Sequence, residues 1–277
     1  MNIDSLKTEG FVRFNYPKSL RWDVAIAIDA WRAFCALDEK EKRKISGGDR
    51  INDFGYMHRN DSGPTADKKE IFHVTGEHIK ELMQKARYVH DQSSISFILA
   101  LYELLEGLFP VVKEFAINVE EQYKIPRLAA RVLGSKDTWT IRFVHYYGVG
   151  EPVLAKPHTD RGGFTIHMYE SHPGGQYLGR DRAWHDWPIN HKESILFPSA
   201  GLQFLRNELK ALCHRVISLD DTLHGGRYSM VGFIDFPLGH RFDDTRFRMQ
   251  DLPVGFNYDI SPEDYRKYFV PTALATV

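Results

Sequence analysis

The chain has 277 residues and a net charge of −1, with 36 Lys and Arg against 37 Asp and Glu. This balance leaves no long-range field to attract nucleic acid or an anionic membrane surface, so neither is expected as a partner. A hydrophobic content of 43% is ordinary for a globular protein with a substantial core. Two distant cysteines, Cys35 and Cys213, and no recognisable leader favour a cytoplasmic, monomeric protein with one domain spanning 1–277.

The first half of the chain, 1–136, is predicted to be mostly helical. An apolar stripe with three- and four-residue spacing runs from Val24 to Cys35, and another includes Ile98, Leu99 and Tyr102. The predicted elements are a strand at 10–14, a helix from 17 to about 45, an irregular polar region at 46–76, a helical region at 78–124 and a short helix from 126.

From Thr138 onward the segments become short, alternating and rich in β-branched and aromatic residues. Such a series predicts an all-β sandwich or barrel, here within 137–240. The tail, 241–277, is turn-rich and contains a capped helix start at Ser261. The predicted strands lie at 139–147, 164–169, 194–197, 203–206, 212–218 and 228–236.

Two histidines and an aspartate form the first candidate site. His158 and Asp160 stand two apart, so on a strand both side chains point the same way, and His214 lies in another strand-like segment. Two imidazoles and one carboxylate, with open positions beside them, are a donor set for Fe(II) that activates dioxygen. Because the chain has 13 histidines, a His-x-Asp pair also arises by chance.

A second candidate site follows in the last predicted strand. Alternation places Arg227, Ser229, Val231, Phe233 and Asp235 on one face. A guanidinium on an apolar strand face needs an anion, because burying the charge alone is costly. A structural salt bridge to a nearby acid is one interpretation. A bound carboxylate is the other, and the position just after the last candidate ligand favours it.

Three short segments, HTD at 158–160, HRV at 214–216 and RYS at 227–229, carry a family resemblance. In this order and spacing they resemble the Fe(II)/2-oxoglutarate-dependent dioxygenases of the isopenicillin N synthase-like group. The segments at 10–14 and 140–148 are similar to strands of that group, and 67–72 is similar to its D-x-K-E-x-F segment. The segment at 194–206 matches more loosely. The resemblance implies a mainly β fold, with a double-stranded β-helix (jelly-roll) core, a helical N-terminal region and a helical C-terminal tail.

The resemblance also implies roles for the two candidate sites. His158, Asp160 and His214 would be the iron ligands, and Arg227 and Ser229 would hold the distal carboxylate of 2-oxoglutarate. The reaction would use O2 and convert 2-oxoglutarate to succinate, with ascorbate as a reductant. Since related halogenases have a small residue in place of the aspartate, the carboxylate here favours hydroxylation, desaturation or ring closure.

Several further residues are candidates for the co-substrate and substrate. Tyr147 corresponds to a tyrosine that often helps hold the co-substrate, and alternation groups it with His145 on one face of 141–147. A packed core tyrosine is the alternative. We expect His145, Phe233, Arg161 and Phe72 to contact the substrate, although a packed His145 and a solvent-exposed Arg161 are equally compatible with the sequence.

Four other histidines, His167, His172, His185 and His191, lie between the first two candidate ligands and the third. Their irregular spacing among turn residues favours surface positions over a second metal site.

The predicted function is oxidation of a small molecule in specialised metabolism. Two alternatives remain. One is an iron oxidase similar to isopenicillin N synthase or ACC oxidase, which does not use 2-oxoglutarate. The other is a jelly-roll module that binds a ligand without catalysis.

Overall fold

The computed structural model describes residues 1–45, 54–60, 68–147, 153–218 and 226–273. The helices in these ranges are α1 (Ser5–Thr8), α2 (Lys18–Cys35), α3 (Glu39–Lys42), α4 (Gly76–Lys85), α5 (Gln92–Tyr123), α6 (Leu128–Gly134), α7 (Ala200–Leu205), α8 (Phe256–Asp259) and α9 (Pro262–Arg266). The strands are β1 (Val12–Asn15), β2 (Gly55–Asn60), β3 (Lys68–Thr75), β4 (Thr140–Tyr146), β5 (Val153–His158), β6 (Phe164–Glu170), β7 (Gly175–Leu178), β8 (Trp184–Asp186), β9 (Glu193–Pro198), β10 (His214–Ile217), β11 (Arg227–Ile234), β12 (His240–Phe242) and β13 (Phe269–Pro271).

Two antiparallel sheets face each other and form the core of the fold. The larger has seven strands in the order β1-β9-β6-β11-β4-β3-β2, and the smaller has four in the order β5-β10-β7-β8. Val144 and Tyr146 of the large sheet pack with Leu154 and Val216 of the small one. This arrangement, with helices alongside, confirms the predicted mainly β fold with a jelly-roll core.

The outer face of the large sheet is also buried, because α2 and α5 cover it. Trp31 and Phe34 of α2 and Phe97 of α5 pack against Phe72 of β3, and Phe143 of β4 contacts Trp31 and Phe97. The large sheet therefore has two apolar faces, one toward the helices and one toward the small sheet, which we call the outer and inward faces.

The long helix α5 is the centre of the helical layer and continues through Pro110 without a break. By length and apolar composition alone it could cross a membrane, but in the fold 50% of its most apolar window is buried. Its buried stripe differs from the predicted one. Leu99 and Tyr102 are exposed, while Leu101 and Leu104 pack inward.

Three other segments differ from the predictions. The segment 203–206 lies in and beyond α7 and forms no strand, because the turn after β9 continues into helix. Within the region predicted to be irregular, 55–60 and 68–75 form the paired strands β2 and β3. Residues 46–53 and 61–67 lie outside the described residues. The helix predicted to reach about 45 ends at Cys35. The helix start at Ser261 is confirmed, since its hydroxyl accepts a hydrogen bond from the Asp264 N–H.

A buried polar network lies on the outer face, where α2 and α3 meet β3. The Glu70 carboxylate forms an ion pair with Lys42 and accepts a hydrogen bond from the Tyr56 hydroxyl (2.8 Å), and its other oxygen contacts the His145 ring (2.9 Å). Burial alone raises the pKa of Glu70, but the hydrogen bonds from His145, Lys42 and Tyr56 outweigh it and hold the pKa at about 2. This network fixes β3 and β4 against the helices.

We predict that Lys42→Met lowers the free energy of unfolding by about 3 kcal/mol, because it leaves the Glu70 charge buried without its cation. Urea denaturation at neutral pH measures the effect. Lys44→Met is the matched control, since Lys44 pairs with Glu41 at the surface and such pairs contribute at most about 1 kcal/mol. Equal losses in the two variants would contradict the proposed importance of the buried pair.

Candidate metal and carboxylate site

The pairing of β5 with β10 brings the two predicted histidine ligands together. His158 ends β5, His214 begins β10, and the two are direct partners in the antiparallel register. Their ring centroids are 4.4 Å apart. Asp160 follows in the turn between β5 and β6. The three donor atoms lie within 4.8 Å of one another, which is close enough to hold one metal ion after a small inward movement.

Backbone hydrogen bonds orient both imidazoles. The Nδ1 of His158 lies 2.7 Å from the carbonyl oxygen of Lys156, and the Nδ1 of His214 lies 3.1 Å from that of Leu212. Since a carbonyl can only accept, each Nδ1 carries a hydrogen, and in the neutral form of either ring Nε2 has the lone pair that a metal needs. Both Nε2 atoms point toward Asp160 and lie 3.9 Å from its carboxylate oxygens.

The third donor is held from the large sheet. The Thr165 hydroxyl donates a 2.6 Å hydrogen bond to Oδ2 of Asp160 and lies 3.1 Å from the Ser199 hydroxyl. Burial, followed by the neighbouring His214, lowers the pKa of His158 to about 4, so its ring is neutral at physiological pH. Two imidazoles and a carboxylate suit a divalent transition metal with open coordination positions.

Arg227 lies on the inward face of β11 and is only 1% exposed. Its Nη2 forms an ion pair with Glu170, and its Nε donates to the His172 carbonyl oxygen (3.2 Å). Its Nη1 is buried and has no hydrogen-bond partner among the described residues. Ser229 is buried on the same face. The guanidinium thus forms the structural salt bridge and still offers an unused donor, which fits a bound carboxylate.

One of the four additional histidines is not at the surface. His167 is largely buried, its Nε2 is 3.6 Å from Glu170, and its ring stacks on Trp187 at 5.3 Å. Trp187 also lies 5.9 Å from the ring of His214. This tryptophan therefore lies between His214 and the Arg227–Glu170 pair.

The inward face of β4 is the opposite of the predicted one. Arg142, Val144 and Tyr146 face the small sheet, whereas His145 faces the helices and stacks on Tyr228 at 4.2 Å. The Tyr147 hydroxyl donates to the Arg59 carbonyl oxygen at 2.5 Å. That bond holds the Tyr147 side chain beside β2.

Tyr146 takes the place expected of its neighbour. It is the register partner of Arg227, whose guanidinium carbon lies 5.9 Å from the centre of the tyrosine ring. The sequence contains one signal for the inward face of β4. A cation is easier to accommodate beside a ligand cavity than beneath a helix, so Arg142 indicates that face, and alternation from Arg142 places Tyr146 on it.

The four predicted substrate residues have different positions. Phe233 is on the inward face, as expected. Phe72 is fully buried in the outer aromatic core, and His145 is held there by Glu70, so neither position fits substrate contact. Arg161 is exposed and donates to Asp244 at 2.8 Å. These placements correct the predicted substrate set and leave Phe233 as its inward-facing member.

Two inward-facing residues were not among the predicted contacts. The Arg142 guanidinium lies over Phe233, with 4.8 Å from its carbon to the ring centre, and its Nη2 is 3.1 Å from Nδ1 of His73. Burial and then the positive Arg142 lower the pKa of His73 to about 4, so its neutral Nδ1 accepts that hydrogen bond.

A second group of three potential donors, Cys35, Glu70 and His145, lies on the outer face. The ammonium group of Lys42 is already bonded to Glu70 there and occupies the position of a cation.

We predict that Thr165→Val weakens Fe(II) binding about 10- to 100-fold, because the carboxylate of Asp160 loses the hydrogen bond that orients it. Anaerobic calorimetric titration with Fe(II) measures the dissociation constant. Thr8→Val, at an exposed hydroxyl on the far surface, is the control and should bind like the wild type. Unchanged affinity in Thr165→Val would show that this hydrogen bond does not orient the ligand.

We also predict a pH effect on stability from His73. Its pKa is about 4 in the folded chain against an ordinary 6.5, so the unfolded state binds more protons between these values. The contribution is complete above about pH 6.5 and is lost as pH falls toward 4, by at most about 3 kcal/mol. Urea unfolding of wild type and His73→Gln across this range should show a steeper loss for the wild type. Parallel curves would contradict this.

Comparison with known proteins agrees with this geometry. Residues 139–236 match the model of the family described as the 2OG-Fe(II) oxygenase superfamily. No curated protein matches the chain significantly.

Solved structures share the fold at low sequence identity. A full-length Neurospora crassa protein, crystallised with α-ketoglutarate, aligns with a TM-score of 0.67 and 17% identity over 96% of this chain and 84% of that one. Arabidopsis thaliana dioxygenase for auxin oxidation 1, in a 2-oxoglutarate complex, aligns with a TM-score of 0.67 and 17% identity over 84% of this chain and 86% of that one. The rice dioxygenase for auxin oxidation aligns with a TM-score of 0.62 and 18% identity over 83% of this chain and 75% of that one. The family match covers 139–236, which contains the metal and carboxylate site, so this region is similar to a 2OG-Fe(II) oxygenase domain, and the solved structures show that the chain shares the fold of proteins crystallised with 2-oxoglutarate.

Proposed function

We propose that the enzyme hydroxylates a small organic molecule at an iron held by His158, Asp160 and His214, with Arg227 and Ser229 binding the distal carboxylate of 2-oxoglutarate. The observation that carries this proposal is that two kinds of unused group face the same interior, namely metal-binding histidine nitrogens and a hydrogen-bond donor of Arg227. The Nε2 atoms of both histidines point at the Asp160 carboxylate, and the buried Nη1 of Arg227 has no partner among the described residues.

Bound Fe(II) would supply the site for O2 activation coupled to decarboxylation of 2-oxoglutarate. The residues of this chain bind and orient. Three donors from one side leave positions open for the co-substrate and O2. Thr165 keeps the Asp160 carboxylate turned toward the histidines. The site lies between the two sheets, since the histidines come from the small sheet and Thr165 from the large one.

The Arg227–Glu170 pair has a specific role in this proposal. Glu170 fixes one edge of the guanidinium, so that the remaining N–H groups have a set direction before the co-substrate arrives. Tyr146, whose ring lies beside Arg227, replaces Tyr147 as the tyrosine near the co-substrate. Membership of the isopenicillin N synthase-like group, a role in specialised metabolism, a monomeric state and a cytoplasmic location remain predictions from the sequence.

We predict that replacing Arg227 raises the concentration of 2-oxoglutarate required for half-saturation at least about 30-fold, since a buried charge-assisted contact contributes about 2 kcal/mol or more. Fe(II) affinity should not change. The variant of choice is Arg227→Leu combined with Glu170→Leu, because it removes both members of the ion pair and leaves no buried charge unpaired. Arg13→Leu, at an exposed arginine paired with Glu193, is the matched control.

The measurements are anaerobic titration of the Fe(II)-loaded protein with 2-oxoglutarate, read from the metal-to-ligand charge-transfer band, and O2 uptake with succinate formation. Unchanged 2-oxoglutarate dependence in the Arg227 variant would remove the co-substrate assignment. O2 uptake that needs a substrate but no 2-oxoglutarate would instead indicate an oxidase similar to ACC oxidase. Failure of the wild type to bind Fe(II) would favour a binding module.

A further inference from the structure

A second cation, the half-buried Arg142, lies on the inward face of the large sheet, and its Nε atom is buried. Arg227 pairs with Tyr146, and Arg142 lies four residues before Tyr146 on β4, which corresponds to about 13 Å along the strand. The two backbones are thus offset along the sheet, and the two guanidinium groups have different hydrogen-bonding neighbours.

Arg142 differs from Arg227 in its partners. Arg227 has Glu170, whereas the described hydrogen-bonding partner of Arg142 is the neutral ring of His73 at 3.1 Å. The Nε of Arg142 is buried and has no hydrogen-bond partner among the described residues. A buried guanidinium N–H without an acceptor is costly to the fold, and a bound anion would remove that cost.

The nearest carboxylates are committed to other groups. Asp160 acts on Arg142 electrostatically but is the candidate metal ligand, and it already accepts from Thr165. Asp235 also interacts with Arg142 electrostatically, and its Oδ1 accepts a hydrogen bond from the Gly163 N–H. Neither forms an ion pair with Arg142 within 4.0 Å in the part of the chain that is described.

The surroundings of Arg142 add positive charge and an apolar surface. Lys69 is on the same side of β3, 5.6 Å from the Tyr146 ring, and Arg59 disfavours the charged form of Arg142. On its other side the guanidinium covers the ring of Phe233. A flat guanidinium on an aromatic ring presents its N–H groups at its edge, which matches a planar carboxylate with an apolar group beside it.

We propose that Arg142, supported by His73 and Phe233, binds the carboxylate of the substrate, so that the enzyme acts on a small organic acid whose apolar part lies against Phe233. This inference rests on the proposed function, since it places the acid beside the site assigned to iron. Arg142 and Thr165, whose hydroxyl binds Asp160, both lie on the large sheet, so a carboxylate held at Arg142 is bound on the sheet that also orients the metal-ligand candidate Asp160.

The test compares carboxylic acids with their uncharged amides. The probes are phenylacetate, 4-phenylbutanoate and decanoate, each against its primary amide, titrated calorimetrically into the anaerobic protein loaded with Fe(II) and 2-oxoglutarate. In the wild type at least one acid should bind at least tenfold more tightly than its amide. Arg142→Leu should abolish that preference, and Arg142→Lys should retain part of it because the charge stays but the planar fork is lost.

Controls separate this site from the co-substrate site and from loss of folding. Arg13→Leu should behave as the wild type. Arg142→Leu should give the charge-transfer band with a 2-oxoglutarate affinity within about twofold of the wild type. Its thermal unfolding should be close to that of the wild type, since apolar replacement of a buried charge is often neutral.

An acid preference that survives in Arg142→Leu, or its absence from the wild type, would overturn the inference. So would a loss of 2-oxoglutarate affinity with the acid preference intact, because Arg142 would then serve the co-substrate. If no charge-transfer band forms even in the wild type, the proposed function fails by itself. The same titrations on the metal-free protein then decide whether Arg142 binds acids.

Discussion

The antiparallel pairing of β5 with β10 is the constraint on which the site depends. It places His158 directly opposite His214, and a carbonyl two residues before each ring turns its Nε2 inward. Asp160 needs a contact from the opposite sheet, and Thr165 of β6 supplies it. The donor set therefore exists only when both sheets are formed and packed together. A chain that forms either sheet alone has the residues of the motif without their geometry.

The interior contains two arginines, and their partners decide what each can do. The charge of Arg227 is largely balanced by Glu170, so a further carboxylate there gains from hydrogen bonds more than from net charge. Arg142 has a neutral histidine and an aromatic ring as its immediate neighbours, so an anion there gains from hydrogen bonds and also from the net positive charge. Two similar side chains on one sheet thus suit two different acids, a co-substrate with a second attachment point at the metal and a substrate without one.

The sequence predicted the α2 stripe correctly because helical spacing alone determines it, and the structure brings the three metal-ligand candidates together, although their role as ligands stays a prediction. It failed on β4, where alternation shows that His145 and Tyr147 share a face but not which face is inward. Both faces of the large sheet are apolar, one against helices and the other against strands, so hydrophobicity does not distinguish them. Because Tyr146 and Tyr147 are adjacent and identical, a tyrosine is available for either face, and the sequence does not show which of the two points inward. The same ambiguity placed Phe72 at the substrate when it packs in the outer core.

The outer face nevertheless acts on the inward one through β3. Glu70 lies between Lys69 and Ile71 on this strand, and its side chain is fixed against Lys42 on the helical side. Because neighbouring residues of a strand point to opposite faces, fixing Glu70 outward holds Lys69 and His73 inward, where His73 supports Arg142. A buried ion pair is weak support for stability in itself, since its desolvation cost offsets much of the attraction. Its value here is register. A slip of β3 by one residue would bury Lys69 among the helices and bring Glu70 into the interior, opposite the charge that an acidic substrate requires.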